Sequence, residues 1–472
     1  MYGTGEPIRL GTGTTVGQWT SFQLAAASAG DLFMTVYSDM RSGTYPNIYG
    51  RVSTDAGSSW GAAELTVASD IYGEVEPSVF VRNGRAWVAY SNFLSAVRRI
   101  HVRSASAPYT AWGGAIKIDA PAASDTSIDC YAPSGAVAKP DAGTNDWLAV
   151  VWSDIAGDAF NPTRNVRVNY SKNGGTTWLA TPLLVNSGAG LNKGELPVIA
   201  SNGNGIVFLA WRDKRVSGLA QVYFARLDMN AGTPAVTNVV ALQPNSTGAS
   251  AEEISIAADG SNVYVAWTDL RSEKKAIRVA VSNDAGVTWR KIGGVTDGAV
   301  VNVDATFANA SAPTIAARDG KVVVAWEDTR SGATDIRVNH SDDAGATWKT
   351  ACARADTGDL LGSTASYFPR VALGKGDNVF LTWQDMRFLP TSVIASVSID
   401  RGTTFHASAG TAFRMDIDTS ANPVGGSAAD SQYPLILASP ATNAASVVWI
   451  DYRNAAGGNG QNGDVWTRRL AP

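Results

Sequence analysis

Apolar and polar positions alternate along this chain in stretches of four to eight residues, each bounded by Gly, Asn, Asp or Ser. Such period-two runs predict strands, because successive side chains of a strand point to opposite faces of its sheet. One phrase recurs: an alternating strand ending in aromatic-x-Asp, usually followed by x-Arg. Its copies are Tyr37-Ser-Asp39-Met-Arg41, Trp152-Ser-Asp154, Trp211-Arg-Asp213-Lys-Arg215, Trp267-Thr-Asp269-Leu-Arg271, Trp326-Glu-Asp328-Thr-Arg330, Trp383-Gln-Asp385-Met-Arg387 and Trp449-Ile-Asp451-Tyr-Arg453. A degenerate copy, Tyr90-Ser-Asn92-Phe-Leu94, makes eight.

Read from the Asp or Asn, the copies are spaced by 53, 62, 59, 56, 59, 57 and 66 residues, so the repeats fill the 472-residue chain. A short segment such as Pro197-Val-Ile-Ala or Pro369-Arg-Val-Ala precedes each aromatic-x-Asp strand, and a third run such as Ile336-Arg-Val-Asn-His follows it. With a fourth strand after the next turn, each repeat is an antiparallel sheet that cannot bury both faces alone; radial stacking solves that. The expected fold is therefore all-β: a single β-propeller over residues 1–472 with eight four-stranded blades. The approximate repeats are 14–60, 61–115, 116–180, 181–240, 241–290, 291–350, 351–410 and 411–472. The last repeat stops after its third strand, and residues 6–13 are expected to supply the missing outer strand and close the ring. Because repeat two is degenerate, a seven-bladed ring with an extra sheet would leave a similar trace.

Composition narrows the functional classes. A net charge of −4 and a pI near 5.5, without a Lys/Arg block, offer no surface for a phosphate backbone, so nucleic acid is not an expected partner. No apolar run is long enough to span a membrane. The first residues do not read as a signal peptide, so an exported protein would have lost its signal. Cys130 and Cys352 fall in different repeats and support neither a disulfide framework nor a zinc site. His101, His340 and His406 are likewise scattered. No cofactor is expected. Acidic stretches such as Met415-Asp416-Ile-Asp418-Thr could hold calcium, although exposed turns explain them equally and the EF-hand pattern is absent.

After the third strand of several repeats comes Ser-x-Asp-x-Gly-x-Thr-Trp or a close relative, at Asp55, Asp284 and Asp343, with looser copies at Asn173 and Asp400. The carboxylate can accept turn N–H groups, Gly supplies a positive φ, and the aromatic packs back on the sheet. The motif is that of the Asp-box, and the chain resembles the sialidase-like Asp-box (BNR-repeat) propellers over essentially its whole length. The resemblance implies that Asp55, Asn173, Asp284, Asp343 and Asp400 are structural and lie away from the active face. The Asp-x-Arg pairs, present in six of eight repeats, also read as scaffold more readily than as a ring of sugar-binding arginines. The resemblance further implies an arginine in an Arg-Ile-Pro phrase on the first inner strand. Thr20 stands at that place, so no sialidase catalytic residue is carried over.

What every blade carries is scaffold; a single site must use what only one or two carry. The symmetry breaks at Asn92-Phe-Leu94, at Asp154-Ile-Ala156 with a longer loop holding Asp158 and Arg164, and at the insertion Ile118–Tyr131 with Asp119, Asp125 and Asp129. Loops entering the innermost strands add Glu74, Glu76, Tyr131, Glu195, Glu252, Tyr367 and Tyr433. Carboxylates and tyrosines are the materials of glycosidase chemistry. The catalytic candidates are Glu195, Glu252, Tyr367 and Asp129, and the ligand-binding candidates Tyr131, Asp158, Arg164, Glu76 and Tyr433. The expected function is binding of a glycan or polysaccharide by a secreted or cell-surface monomer, without sialidase catalysis. A glycoside hydrolase or polysaccharide lyase, and a protein-interaction scaffold, are the alternatives.

Overall fold

A computed structural model of the chain describes residues 3–471 except 12–20, 42, 71, 83, 95–96, 120–127, 142–144, 157–162, 188–192, 217, 244–249, 272–273, 293–294, 304–308, 358–359, 389–390, 406–412, 417–429 and 453–462. Eight sheets stand in a ring, each ordered from the axis outward. Blade 1 comprises Ser21–Ala29, Leu32–Asp39, Asn47–Ser53 and Leu65–Ala68. Blade 2 comprises Glu74–Arg82, Arg85–Leu94, Val97–Ser106 and Ile116–Lys117, and blade 3 Ile128–Lys139, Trp147–Ala156, Thr163–Ser171 and Leu183–Leu184. Blades 4 to 7 begin at Gly194–Ser201, Ala251–Asp259, Ala310–Arg318 and Ser366–Leu373 and follow the same order.

Blade 8 holds Ser431–Ala438, Ala445–Asp451 and Asp464–Ala471, and its outer edge is completed by the N-terminal strands Gly3–Thr4 and Ile8–Arg9. Arg9 also donates to Asp464 at 2.8 Å. The ring is thus closed by joining the two ends of the chain in one sheet, and it has eight blades rather than seven. Among the described residues no helix is long and apolar enough to cross a membrane.

The core is divided among the junctions between blades. Eight clusters of buried apolar side chains each join one blade to its neighbour, from blades 1 and 2 round to blades 8 and 1. The aromatic of every aromatic-x-Asp phrase is fully buried in the junction with the preceding blade; Trp267 lies against blade 4 and Trp449 against blade 7. The Asp two residues on has a purely local task. Asp385 accepts from the Trp383 indole at 2.9 Å, from the Arg387 backbone N–H at 2.9 Å and from its guanidinium at 2.7 Å. Arg387 then reaches the carbonyls of Asp356 and Thr357 at the outer edge of blade 6. Asp39, Asp213, Asp269 and Asp328 hold their arginines in the same way. Arg453 lies outside the described residues.

Five turns repeat one hydrogen-bond pattern. In blade 6 the Ser341 hydroxyl donates to Asp343 at 2.7 Å and accepts from Gly345 N–H, while Thr347 donates its N–H and hydroxyl to the two carboxylate oxygens at 2.8 and 2.7 Å. The turns around Asp55, Asp284 and Asp400 match it. The turn at Asn173 does so with its amide oxygen. These donors hold the Asp343 carboxyl down at about 2, the Ser341 hydroxyl contributing most. Gly345 has φ +78°, and a Cβ there would stand 2.9 Å from Val281 of blade 5, so the position requires glycine for conformation and for close approach. Cys130 and Cys352 lie in blades 3 and 6 and are not joined by a disulfide.

Because Asn173 already serves in one turn, Asp343→Asn should change stability by under about 1 kcal/mol. Gly345→Ala, forced into a positive φ against Val281, should cost about 1–3 kcal/mol. Thermal unfolding of the two variants measures the contrast; equal losses would mean that the carboxylate charge, not the geometry, holds the turn.

Candidate functional site

The candidate residues are set by a bulge repeated in every inner strand. Extended strands exclude positive φ for a residue with a Cβ, yet Gln23, Glu76, Ala132, Leu196, Glu253, Ala312, Phe368 and Tyr433 have φ between 49° and 55°. Each sits where the register with the second strand slips, as between Tyr131 and Ser134 or between Gln432 and Leu435. Such bulges turn the N–H of the extra residue out of its own ladder. At five junctions an oxygen of the preceding blade receives it. Gln23 Oε1 accepts from Glu76 N–H at 2.8 Å, Glu76 from Ala132 at 2.8 Å and Ser153 Oγ from Leu196 at 3.2 Å. Glu253 accepts from Ala312 at 2.6 Å and Glu327 from Phe368 at 2.8 Å. The residues expected on entry loops, from Glu74 to Tyr433, therefore lie on the strands themselves, because pairing continues past the bulge to the rim.

Five of the nominated residues converge on blades 2 to 4. Arg98 donates to Glu76 at 3.0 Å and to Asp129 at 2.6 Å, and its guanidinium lies 4.7 Å from the Tyr131 ring centroid. Arg164 donates to the Tyr131 hydroxyl at 3.4 Å. Glu195 takes Arg212 at 2.7 Å and Lys214 at 2.9 Å. Burial alone would raise the carboxyl pKa values, but hydrogen bonds and cations outweigh it: Lys214 and Arg212 hold Glu195 low, and Arg98 holds Asp129 low. Burial raises Tyr131. These acids are ionised and paired. Glu252 stands apart on blade 5, 3.1 Å from Lys275, and Asp158 lies outside the described residues with Thr20, Asp125, His406 and Asp418. Asp416 pairs with Arg414, and among the described residues no group of three or more His, Cys, Asp or Glu side chains is placed to hold a metal.

Tyr367 and Tyr433 belong to a second place, across the ring. A cleft of about 400 Å³ is lined by Phe22, Gln23 and Leu24 of blade 1, Phe368 and Arg370 of blade 7, and Tyr433, Pro434 and Leu435 of blade 8. Phe368 is 44% exposed and Tyr433 54%, and their ring centroids are 6.3 Å apart; Tyr367 is the same distance beyond Phe368. Arg370 is exposed at the cleft although many protein atoms surround it. That crowding lowers its pKa against the pull of Glu327. It donates to the Pro369 carbonyl at 2.9 Å and makes no ion pair with a described residue.

Phe22, Gln23, Phe368 and Arg370 were not among the sequence candidates. A signal for Arg370 exists: two residues after the bulge the other blades carry Ala25, Ser78, Ser134, Val198, Ser255, Thr314 and Leu435. The degenerate blade 2 also has a physical reading. In blades 1, 7 and 8 a serine opening the inner strand donates to the Asp of the aromatic-x-Asp phrase. In blade 2 acid and donor trade places: the Asn92 amide donates to buried Glu74 at 3.3 Å.

The molecule is an eight-bladed β-propeller, and its fold is similar to that of a polysaccharide lyase. An ulvan lyase of polysaccharide lyase family PL25 is similar over 84% of this chain and 93% of its own, at 11% identity and TM-score 0.50. A protein of unknown function from Dyadobacter fermentans aligns over 100% and 99% of the two chains at 12% identity and TM-score 0.42. A Streptococcus pneumoniae NanB sialidase variant aligns over 80% and 67% at 11% identity and TM-score 0.40. No protein-family model and no curated protein matches the sequence.

Burial raises the Glu74 carboxyl from its ordinary 4.5 to about 7. The folded chain therefore holds the proton more tightly than the unfolded one, and the stability this contributes is lost as pH rises from about 4.5 through 7. Glu74→Gln, which keeps the acceptor without the charge, should stabilise the protein at pH 8 by on the order of 1–3 kcal/mol and leave it nearly unchanged at pH 4. Melting curves at both pH values read the difference, and an equal shift at both would exclude the titration of Glu74.

Proposed function

We propose that the protein is a glycan-binding propeller acting outside the cytoplasm, and that it holds its ligand without sialidase-type catalysis. The observation that carries this reading is the cleft at blades 7, 8 and 1, where two exposed rings flank a pocket of the volume of a sugar unit or two. Sugar rings present C–H faces that pack on aromatic faces and hydroxyls that need hydrogen-bond partners. Tyr433 offers both a face and a hydroxyl.

The carboxylates support binding over hydrolysis. A glycosidase needs one acid kept protonated near neutral pH beside a second, ionised one. Glu195 and Asp129 are held ionised by cations, and Glu76 and Glu253 accept bulge N–H groups; of the acids raised by burial, Glu327 is engaged by the Phe368 N–H and Glu74 is sealed from solvent. The convergence of Glu76, Asp129, Tyr131, Arg164 and Glu195 on blades 2 to 4 is the specific observation favouring an enzyme, and ion pairing accounts for most of it.

Isothermal titration against a panel of neutral and acidic oligosaccharides tests the reading, with the same mixtures assayed for released or unsaturated products. Binding without turnover is expected, and Tyr433→Ala should weaken it by about 1–2 kcal/mol, roughly five- to thirtyfold. Turnover that survives Tyr433→Ala but not Glu195→Gln would move the site to blades 2 to 4. No binding by any sugar would leave a protein-interaction scaffold.

A further inference from the structure

Among the described residues the ring of captured N–H groups is broken at three junctions, and two of them border the cleft. Capture requires an acceptor in the preceding blade at one of two places: the bulge residue itself, or the middle residue of the aromatic-x-Asp phrase. Gln23, Glu76 and Glu253 act from the first place, Ser153 and Glu327 from the second. Before blade 1 these places hold Tyr433 and Ile450, and before blade 8 they hold Phe368 and Gln384. Neither Tyr433 nor Ile450 caps the Gln23 N–H. The buried Gln384 Oε1 has no hydrogen-bond partner and so does not cap the Tyr433 N–H. The remaining gap, before blade 5, falls at Leu196 and Arg212, away from the cleft.

Gln23 and Tyr433 share the bulge conformation of the five capped residues and lie outside the strand register, between Phe22 and Ala25 and between Gln432 and Leu435. Their N–H groups are therefore turned the same way and lack a side-chain acceptor among the described residues. Both residues line the cleft that also holds Arg370, and no carboxylate lines it.

We propose that the uncapped N–H groups of Gln23 and Tyr433, together with the Arg370 guanidinium, form a donor site that selects a sugar unit bearing an anionic oxygen group, either a carboxylate or a sulfate ester. The proposal rests on the glycan-binding reading above and adds the charge of the ligand to it. Arg370 supplies the countercharge and a planar fork of donors. The two N–H groups occupy the places where carboxylate oxygens of Glu76, Glu253 and Glu327 receive the equivalent donors elsewhere in the ring. A ligand oxygen thus completes a pattern that the protein satisfies with its own carboxylates at three other junctions. Phe368 and Tyr433 pack the sugar face whatever its charge.

Titration calorimetry with three probes on the intact chain decides the matter: a uronic-acid disaccharide, a neutral disaccharide carrying a sulfate ester, and the unsubstituted neutral disaccharide. An affinity for either anionic probe at least tenfold above the neutral one is expected, and which of the two binds identifies the anionic group. Arg370→Gln should remove that preference, bringing the affinity for the anionic probe down to that of the neutral one. Arg370→Lys, which keeps the charge but not the fork, should retain part of it; melting curves of both variants check that the fold is intact. Equal affinity for all three probes, or a preference that survives Arg370→Gln, would overturn the donor site while leaving glycan binding in place. Failure of all three to bind would instead count against the glycan reading itself.

Discussion

The structure depends on one constraint: a four-stranded sheet with two apolar faces has to find a neighbour for each of them. Eight such sheets meet it by standing face to face in a closed circle, so that the hydrophobic core becomes eight separate junctions. The buried tryptophans are the plugs of those junctions, and each removes a large aromatic surface from water. Closure has to be secured somewhere, and pairing Gly3–Thr4 and Ile8–Arg9 with Asp464–Ala471 places the seam inside a sheet, where ladder hydrogen bonds hold it.

Packing eight inner strands around one axis brings a second demand, the bulge. Each blade accepts a backbone conformation that its side chain disfavours, and turns an N–H toward its neighbour. The neighbour's oxygen compensates for that cost at five junctions, which ties the blades together at the rim as the apolar clusters do deeper in. This arrangement changes the meaning of an acidic residue near the axis. Glu76, a ligand-binding candidate from the sequence, serves in the fold as an acceptor for a backbone donor, as do Glu253 and Glu327. The candidate cleft lies where the same arrangement is incomplete.

Much of the scaffold was legible beforehand. The aromatic-x-Asp phrase marked all eight second strands, and the Asn at 173 foretold that the turn needs an acceptor more than a charge. The candidate site was legible only in part. Tyr433 and Tyr367 were singled out, but Arg370 and Phe368 were not, since Arg370 stands out from its counterparts only after the bulges have aligned the eight inner strands. Asp129 and Arg164 were singled out as departures from symmetry, and Glu195 as a residue entering an inner strand. Arg164 and Glu195 find their partners within their own blades, whereas Asp129 pairs with Arg98 of blade 2, a contact that depends on which blades stand side by side.

The division has a physical cause. Strand period, turn chemistry and repeat length are local properties, encoded within ten or so residues and repeated often enough to be read above the variation between copies. On these the sequence alone determined an all-β ring and its manner of closure, while the choice of eight blades over seven needed the structure, because the degenerate second repeat reads as a blade only once its four strands are seen paired. Whether a carboxylate is free or already bonded, and whether a ring is buried or exposed at the axis, depends on residues some 50 positions away in the next blade. Gln23 and Tyr433, at opposite ends of the chain, line one cleft only because the ring closes. Tertiary structure alone decided that, because the junction, and not the blade, is the unit in which polar groups find or lack a partner.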